Sequence, residues 1–287
     1  MKNRSVSQVV TGIHTWDGAG VKLTRVLGQE NVKDFDPFLM LDAFDSRNPE
    51  DYIAGFPWHP HRGIETVTYL IEGDIEHGDS IGNKGRITDG SCQWMTAGGG
   101  IMHQEMPQPS KHMLGAQLWI NLPQKDKMTA PAYNDIKAEA VVKVKEEGAE
   151  VAIVSGEYAG RRASMQGNFV KTTYLDVALE PGCEWRIAAP EENTVFLYIV
   201  LGSLEIGGTH YDSKRAILFD KGDSLAVTAG KEGARFLFLS ARPLGEPIAW
   251  AGPIVMNTDE ELDLAFREIE EGTFVKGCKK AHTDYYR

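Results

Sequence analysis

The chain has 287 residues, enough for one large or two ordinary domains, and its 42% hydrophobic and 25% charged residues are the proportions of a folded protein without long disordered stretches. Thirty Lys and Arg against 41 Asp and Glu give a net charge of −11, which argues against a surface for nucleic-acid phosphates. Cys92, Cys183 and Cys278 are odd in number and widely spaced, so no disulfide framework or CxxC site is expected; with no apolar leader and no run of spanning length, a cytoplasmic protein without membrane association is expected, and a eukaryotic source would add the nucleus.

Short β-rich runs follow one another along the chain: residues 21–27, 66–71, 114–120, 172–178, 194–200 and 235–239. Gly, Asp, Asn and Pro punctuate them, so the chain reads as all-β. One helix is expected late. Thr258 caps it, Glu260 and Glu261 suit its first turn, Leu262, Phe266 and Ile269 form an apolar stripe, and Gly272 stops it. That stripe is expected to pack against a sheet.

The chain also resembles itself. Tyr69-Leu-Ile-Glu-Gly73-Asp-Ile-Glu76 matches Tyr198-Ile-Val-Leu-Gly202-Ser-Leu-Glu205 at an offset of 129. Gly90 with Thr96-Ala-Gly98 matches Gly222 with Thr228-Ala-Gly230 at an offset of 132. A duplicated β domain is therefore expected, with the polar residues 123–147 as connector and the halves falling at 1–135 and 136–287.

Two i,i+2 pairs carry the chemistry, His59-Pro-His61 and His103-Gln-Glu105, each beside glycine turns. On a strand, residues two apart share a face, so two such pairs facing into one barrel bring three imidazoles and a carboxylate together. That donor set suits a divalent metal with positions left open. Glu65 competes with Glu105, because it lies four residues after His61, and a bend at Arg62-Gly63 would rotate it away; periodicity leaves both open. The repeat offsets carry His59, His61, His103 and Glu105 onto Ala188, Pro190, Arg235 and Leu237, so only the first half keeps a metal and the second serves as cover or partner surface.

His59-x-His61 with Gly73, and Gly90 through Gly98 to His103, resemble the two histidine motifs of the cupin superfamily, although the spacing before His59 is shorter than usual. A closer resemblance is to the pirin family of bicupins. It is carried by His59-Pro-His-Arg-Gly-Ile-Glu-Thr-Val-Thr-Tyr-Leu-Ile-Glu-Gly73, Gln93-Trp-Met-Thr-Ala-Gly-Gly-Gly-Ile-Met-His-Gln-Glu-Met-Pro107, Phe35-Asp-Pro-Phe-Leu-Met-Leu-Asp-Ala-Phe44 and Leu118-Trp-Ile-Asn-Leu-Pro123. Arg242-Pro-Leu-Gly-Glu-Pro-Ile248 and the late helix resemble the family's second half.

The resemblance implies two tandem jelly-roll-like cupin barrels with a short C-terminal helix. It implies a non-haem Fe(II) in the N-terminal barrel, with His59, His61, His103 and Glu105 at the ligand positions and Glu65 outside them. Manganese, nickel, copper and zinc suit the same donors. It also implies quercetin 2,3-dioxygenase activity on a flavonol and dioxygen, with carbon monoxide released and Glu105 as the catalytic base. A competing implication is a non-enzymatic regulator that binds a transcription factor or metabolic enzyme in a metal- and redox-dependent way.

Other residues carry weaker signals. His77 and His112 lie near the site in sequence, whereas His14, His210 and His282 sit in no motif. Phe56, Trp58, Trp94, Met95, Met102 and Met106 flank the ligands and read either as pocket lining or as core, with Trp58 and Met106 best placed for a pocket. Cys92 reads as a small core residue.

Overall fold

The structure is a computed structural model and describes residues 2–276, so Cys278 and His282 lie outside the described residues. Strands make up about 57% and helices 10%, and the chain is all-β with two cupin domains. Two compact units emerge. One holds residues 2–13, 26–37 and 139–243, the other residues 14–25, 38–138 and 244–276. Neither is one continuous stretch of chain.

In the second of these units, seven strands form one sheet in the order Ala132–Ile136, Cys92–Thr96, Ile64–Glu72, Met113–Asn121, Phe38–Ser46, Val21–Leu27, Ile13–Asp17. Four more form another, in the order Phe56–His61, Ile101–Pro107, Asp74–Asp79, Lys84–Thr88. The central strand Ile64–Glu72 is buried at every position except its last, which suits its run of β-branched and apolar residues over 66–71 and leaves Glu65 as a buried carboxylate. Leu23, Phe44, Leu70, Ile75 and Ile87 share one core cluster there.

The other unit is built on a nine-stranded sheet. Its core gathers around Trp185, which meets Phe236 and Phe238 edge-on and stacks with Tyr158.

The first repeat match is structural. Gly73, at φ +135°, lies where the chain passes from Ile64–Glu72 in the seven-stranded sheet to Asp74–Asp79 in the four-stranded one, and Gly202 sits at a register shift inside Thr194–Ile206 at φ +71°. The second match does not hold. Thr96 ends its strand, whereas Thr228 lies inside the 18-residue strand Ser224–Ala241. By strand pairing, the counterparts of Phe56–His61 and Ile101–Pro107 are Glu184–Ala188 and residues 224–228. Arg235 and Leu237 are therefore not the counterparts of His103 and Glu105. Spacing differs between the halves, so a constant offset drifts out of register. The true counterparts contain no histidine or cysteine either.

The C-terminal helix is Asp259–Glu270, closed by a capping box between Thr258 and Glu261. Its buried face is Leu262 and Ala265 with Ile269 packed alongside, while Phe266 is 37% exposed, so the expected stripe is corrected by one residue. The i, i+3, i+7 line places Ala265 inward and leaves Phe266 at its edge. The helix packs with the two-stranded sheet Ala249–Ala251 and Ile254–Met256, in one cluster with Met102 and Phe274.

Two buried cations hold this C-terminal segment beside the end of Phe56–His61. Arg62, 1% exposed, donates to Glu268 Oε2 at 2.5 Å and to the Phe274 carbonyl at 3.2 Å, with its guanidinium 4.3 Å from the Phe274 ring centre. Lys127 Nζ donates to the Gly63 and Val255 carbonyls at 2.9 and 2.8 Å and to Asn121 Oδ1 at 2.6 Å. Three oxygen acceptors match the three donors of an ammonium.

Between them Gly63 takes φ +78°, and a Cβ there would overlap the Val255 carbonyl. Gly63→Ala is accordingly expected to lower stability by at least about 2 kcal/mol, combining left-handed strain with displacement of the hairpin. Urea unfolding of the metal-free protein measures this. A loss below about 0.5 kcal/mol, ordinary for an unconstrained surface site, would show that the hairpin yields freely.

Candidate metal centre

Strands Phe56–His61 and Ile101–Pro107 pair antiparallel, with His59 opposite His103 and His61 opposite Ile101. The ladder slips just beyond, so that Glu105 faces Phe56. The slip falls at Pro57-Trp58, where proline has no N–H for the ladder. His59, His61 and His103 thus converge, with ring centres 4.3–4.9 Å apart. One ligand nitrogen from each lies within 4.8 Å of the others.

Two carbonyls set the tautomers. His59 Nδ1 lies 2.8 Å from the Pro57 carbonyl and His61 Nδ1 3.2 Å from the Pro253 carbonyl. A carbonyl only accepts, so each Nδ1 carries the proton and each Nε2 is left with a lone pair. Those two Nε2 atoms are 3.0 Å apart. Two acceptors at that distance repel unless a cation lies between them.

Burial pushes the proton affinities of His61 and His103 well below the ordinary histidine value, and His59 pushes both further in the same direction. Both ring nitrogens of His103 are buried without a hydrogen-bond partner. Neutral, oriented and unsatisfied nitrogens are what a divalent metal requires, so this trio fits one.

Glu105, two residues beyond His103 and 3% exposed, is gripped from the facing seven-stranded sheet. Thr68 Oγ1 donates to its Oε1 at 3.0 Å, and Gln117 Nε2 donates to Oε1 at 3.0 Å and Oε2 at 2.8 Å. Glu65 is also buried, but its Oε1 accepts from Thr96 Oγ1 at 2.7 Å. Thr96 faces Glu65 across the seven-stranded sheet.

The remaining expected residues are scattered in role. His77, opposite Glu105 in the ladder, bonds to the Tyr133 hydroxyl through Nε2, and burial lowers its proton affinity. His112 pairs with Asp45 at 2.7 Å, His14 with Thr24, and His210 with Asp212. Trp94, Met95 and Met102 are fully buried core residues, and Phe56 and Trp58 pack partly buried against core clusters. Met106 is half-buried. Cys92 is fully buried with its thiol pushed up by burial, an inert core residue.

Gln117, Thr68, Trp119 and Pro253 escaped the sequence reading. A polar Gln117 within the apolar run 114–120 was the signal available; nothing marks Pro253, 192 residues from the histidine it orients. Two surface cavities of about 490 and 550 Å³ are lined by other residues, Tyr158, Arg186 and Phe238 in one, Arg4, Glu205 and Tyr211 in the other. Neither includes any of the three histidines.

Fold and site together define a two-cupin protein in which three converging histidines of one cupin could hold a divalent metal. Residues 20–120 match the family description Pirin and residues 174–275 match the Pirin C-terminal cupin domain, and the chain belongs to the pirin family. It is 42% identical over 277 residues to a pirin-like protein of Caulobacter vibrioides, covering 96% of this chain and 100% of that one. A crystal structure of quercetin 2,3-dioxygenase from Acinetobacter baumannii superposes with a TM-score of 0.87 at 30% identity, covering 95% of this chain and 98% of that one. The Escherichia coli pirin YhhW in complex with nickel(II) shares the fold, with a TM-score of 0.62 at 20% identity, covering 82% of this chain and 98% of that one. No helix among the described residues is long and apolar enough to cross a membrane.

The buried histidines also give the metal-free protein a pH dependence. Because His61 and His103 hold protons less tightly when folded than the ordinary value of 6.5, the unfolded chain binds more protons just below that value, and stability falls as pH falls. The urea midpoint of the metal-free protein is expected to drop between about pH 7 and about pH 5, and His103→Leu is expected to make that drop shallower. A midpoint constant over this range would contradict neutral burial.

Proposed function

We propose that the protein is a metal-dependent dioxygenase of the quercetin 2,3-dioxygenase type, opening flavonols with release of carbon monoxide at a mononuclear non-haem iron held by His59, His61, His103 and Glu105. The observation that carries this is the convergence of three imidazoles, two of them buried, with ligand nitrogens facing one another. The structural likeness to the Acinetobacter quercetin 2,3-dioxygenase supports the substrate class. Bound iron would supply Lewis acidity toward the flavonol hydroxyl and redox chemistry toward dioxygen.

The chain's own residues do the rest. The Pro57 and Pro253 carbonyls hold two imidazoles with Nε2 presented. Glu105 serves as the base that takes the flavonol hydroxyl proton, and Thr68 and Gln117 hold its carboxylate ready. Trp119, 7% exposed and edge-on to His61, helps keep water from that side. We place the protein in the cytoplasm.

A second reading, a regulator that binds a protein partner according to the metal's oxidation state, is favoured by one observation. The partner of His61 is Pro253, in the segment that Arg62 ties to the C-terminal helix, so altered ligand geometry has a direct path to that helix.

Iron-loaded protein is expected to consume quercetin and dioxygen with stoichiometric carbon monoxide. No turnover with iron, manganese, nickel or copper would overturn the dioxygenase reading, and partner affinity that differs between Fe(II) and Fe(III) without turnover would favour the regulator. His61→Ala is expected to lose both metal and activity. Glu105→Gln is expected to lower kcat by roughly 10²- to 10⁴-fold, the usual worth of a general base.

A further inference from the structure

The side-chain amide of Gln117 can turn over and exchange Oε1 for Nε2 with almost no change in shape, so its hydrogen-bond partners must fix its direction. Trp119 supplies that constraint. It lies two residues along the strand Met113–Asn121, on the same face, and its indole N–H, which can only donate, lies 3.2 Å from Gln117 Oε1. Nε2 is thereby turned toward both oxygens of Glu105 and toward Thr68 Oγ1 at 3.0 Å. The Thr68 hydroxyl passes its own hydrogen on to Glu105 Oε1. A reversed amide would set oxygen against carboxylate. The same indole stands edge-on to His61, with ring centres 4.9 Å apart at 84°, and Trp250 of the C-terminal hairpin backs it at 5.8 Å.

We propose that Trp119 is a positioning residue for the ligand set: it fixes the Glu105 carboxylate through the amide of Gln117 and the His61 ring by direct packing, so that one indole sets the geometry of ligands on two strands. This rests on the reading of Glu105 as a ligand. Ligand-supporting contacts of this kind are typically worth 10- to 100-fold in metal affinity.

The test is titration of the metal-free full chain with Co(II), whose visible absorption reports ligand number and geometry without any turnover. Trp119→Phe keeps the ring against His61 and removes the N–H. It is expected to weaken Co(II) binding about tenfold and shift the visible band. Gln117→Leu is expected to do the same, and the double variant to match Gln117→Leu alone, because the N–H acts through the amide. Additive effects, or a Trp119→Phe spectrum identical to the parent's while Glu105→Ala is shifted, would overturn the proposal alone. An unshifted Glu105→Ala spectrum would overturn the ligand reading and the proposal with it. Should Trp119→Phe fail to fold, Gln117→Leu carries the test, because the N–H reaches Glu105 through that amide: a shifted band supports the proposal and an unshifted band overturns it.

Discussion

Two lone pairs, on His59 Nε2 and His61 Nε2, are held 3.0 Å apart by carbonyls that claim the opposite side of each ring. The site is organised around this electrostatic conflict. In water the rings would turn or take up a proton, but burial disfavours the charged form and the carbonyls disfavour the turn. The fold holds the two nitrogens at that distance, and a cation between them would relieve the repulsion. His103 adds a third nitrogen that has no other use, since neither of its ring nitrogens has a hydrogen-bond partner.

That hold comes from two directions. The four-stranded sheet delivers the imidazoles on adjacent strands, and the seven-stranded sheet grips Glu105 through Thr68 and Gln117. A third contribution comes from the C-terminal segment, which brings the Pro253 carbonyl to His61 and is fixed by Arg62 and Lys127. Burying two cations so deeply is costly unless each has its partners, and both have them in carbonyls and side-chain oxygens. The cost has a local return: a segment distant in sequence is held in register with His61. Catalysis and signalling would draw on the same coupling, since the contact that orients His61 also ties it to the segment of the C-terminal helix.

Much of this was legible in the sequence. Strand periodicity put His59 with His61 and His103 with Glu105, and glycine turns marked where the strands end. The family resemblance implies Glu105 rather than Glu65 as the fourth ligand, a choice that periodicity left open; the three-histidine cluster includes neither. The helix was readable from its Thr258 cap, acidic first turn and Gly272 stop, but its inner face was not, because Phe266 outweighs Ala265 in hydrophobicity while geometry favours Ala265. The second repeat offset failed because spacing between the halves is unequal and short glycine-bearing strings recur. Gln117, Trp119 and Pro253 were invisible for a different reason: their roles arise from cross-strand and long-range contacts that no local pattern encodes.

X-ray absorption of the iron-loaded protein tests the central claim most directly, because imidazole rings give a multiple-scattering signature that counts them. Three imidazoles and at least one additional oxygen donor are predicted. Two or fewer imidazoles on the iron would contradict the assignment of His59, His61 and His103 as a single ligand set.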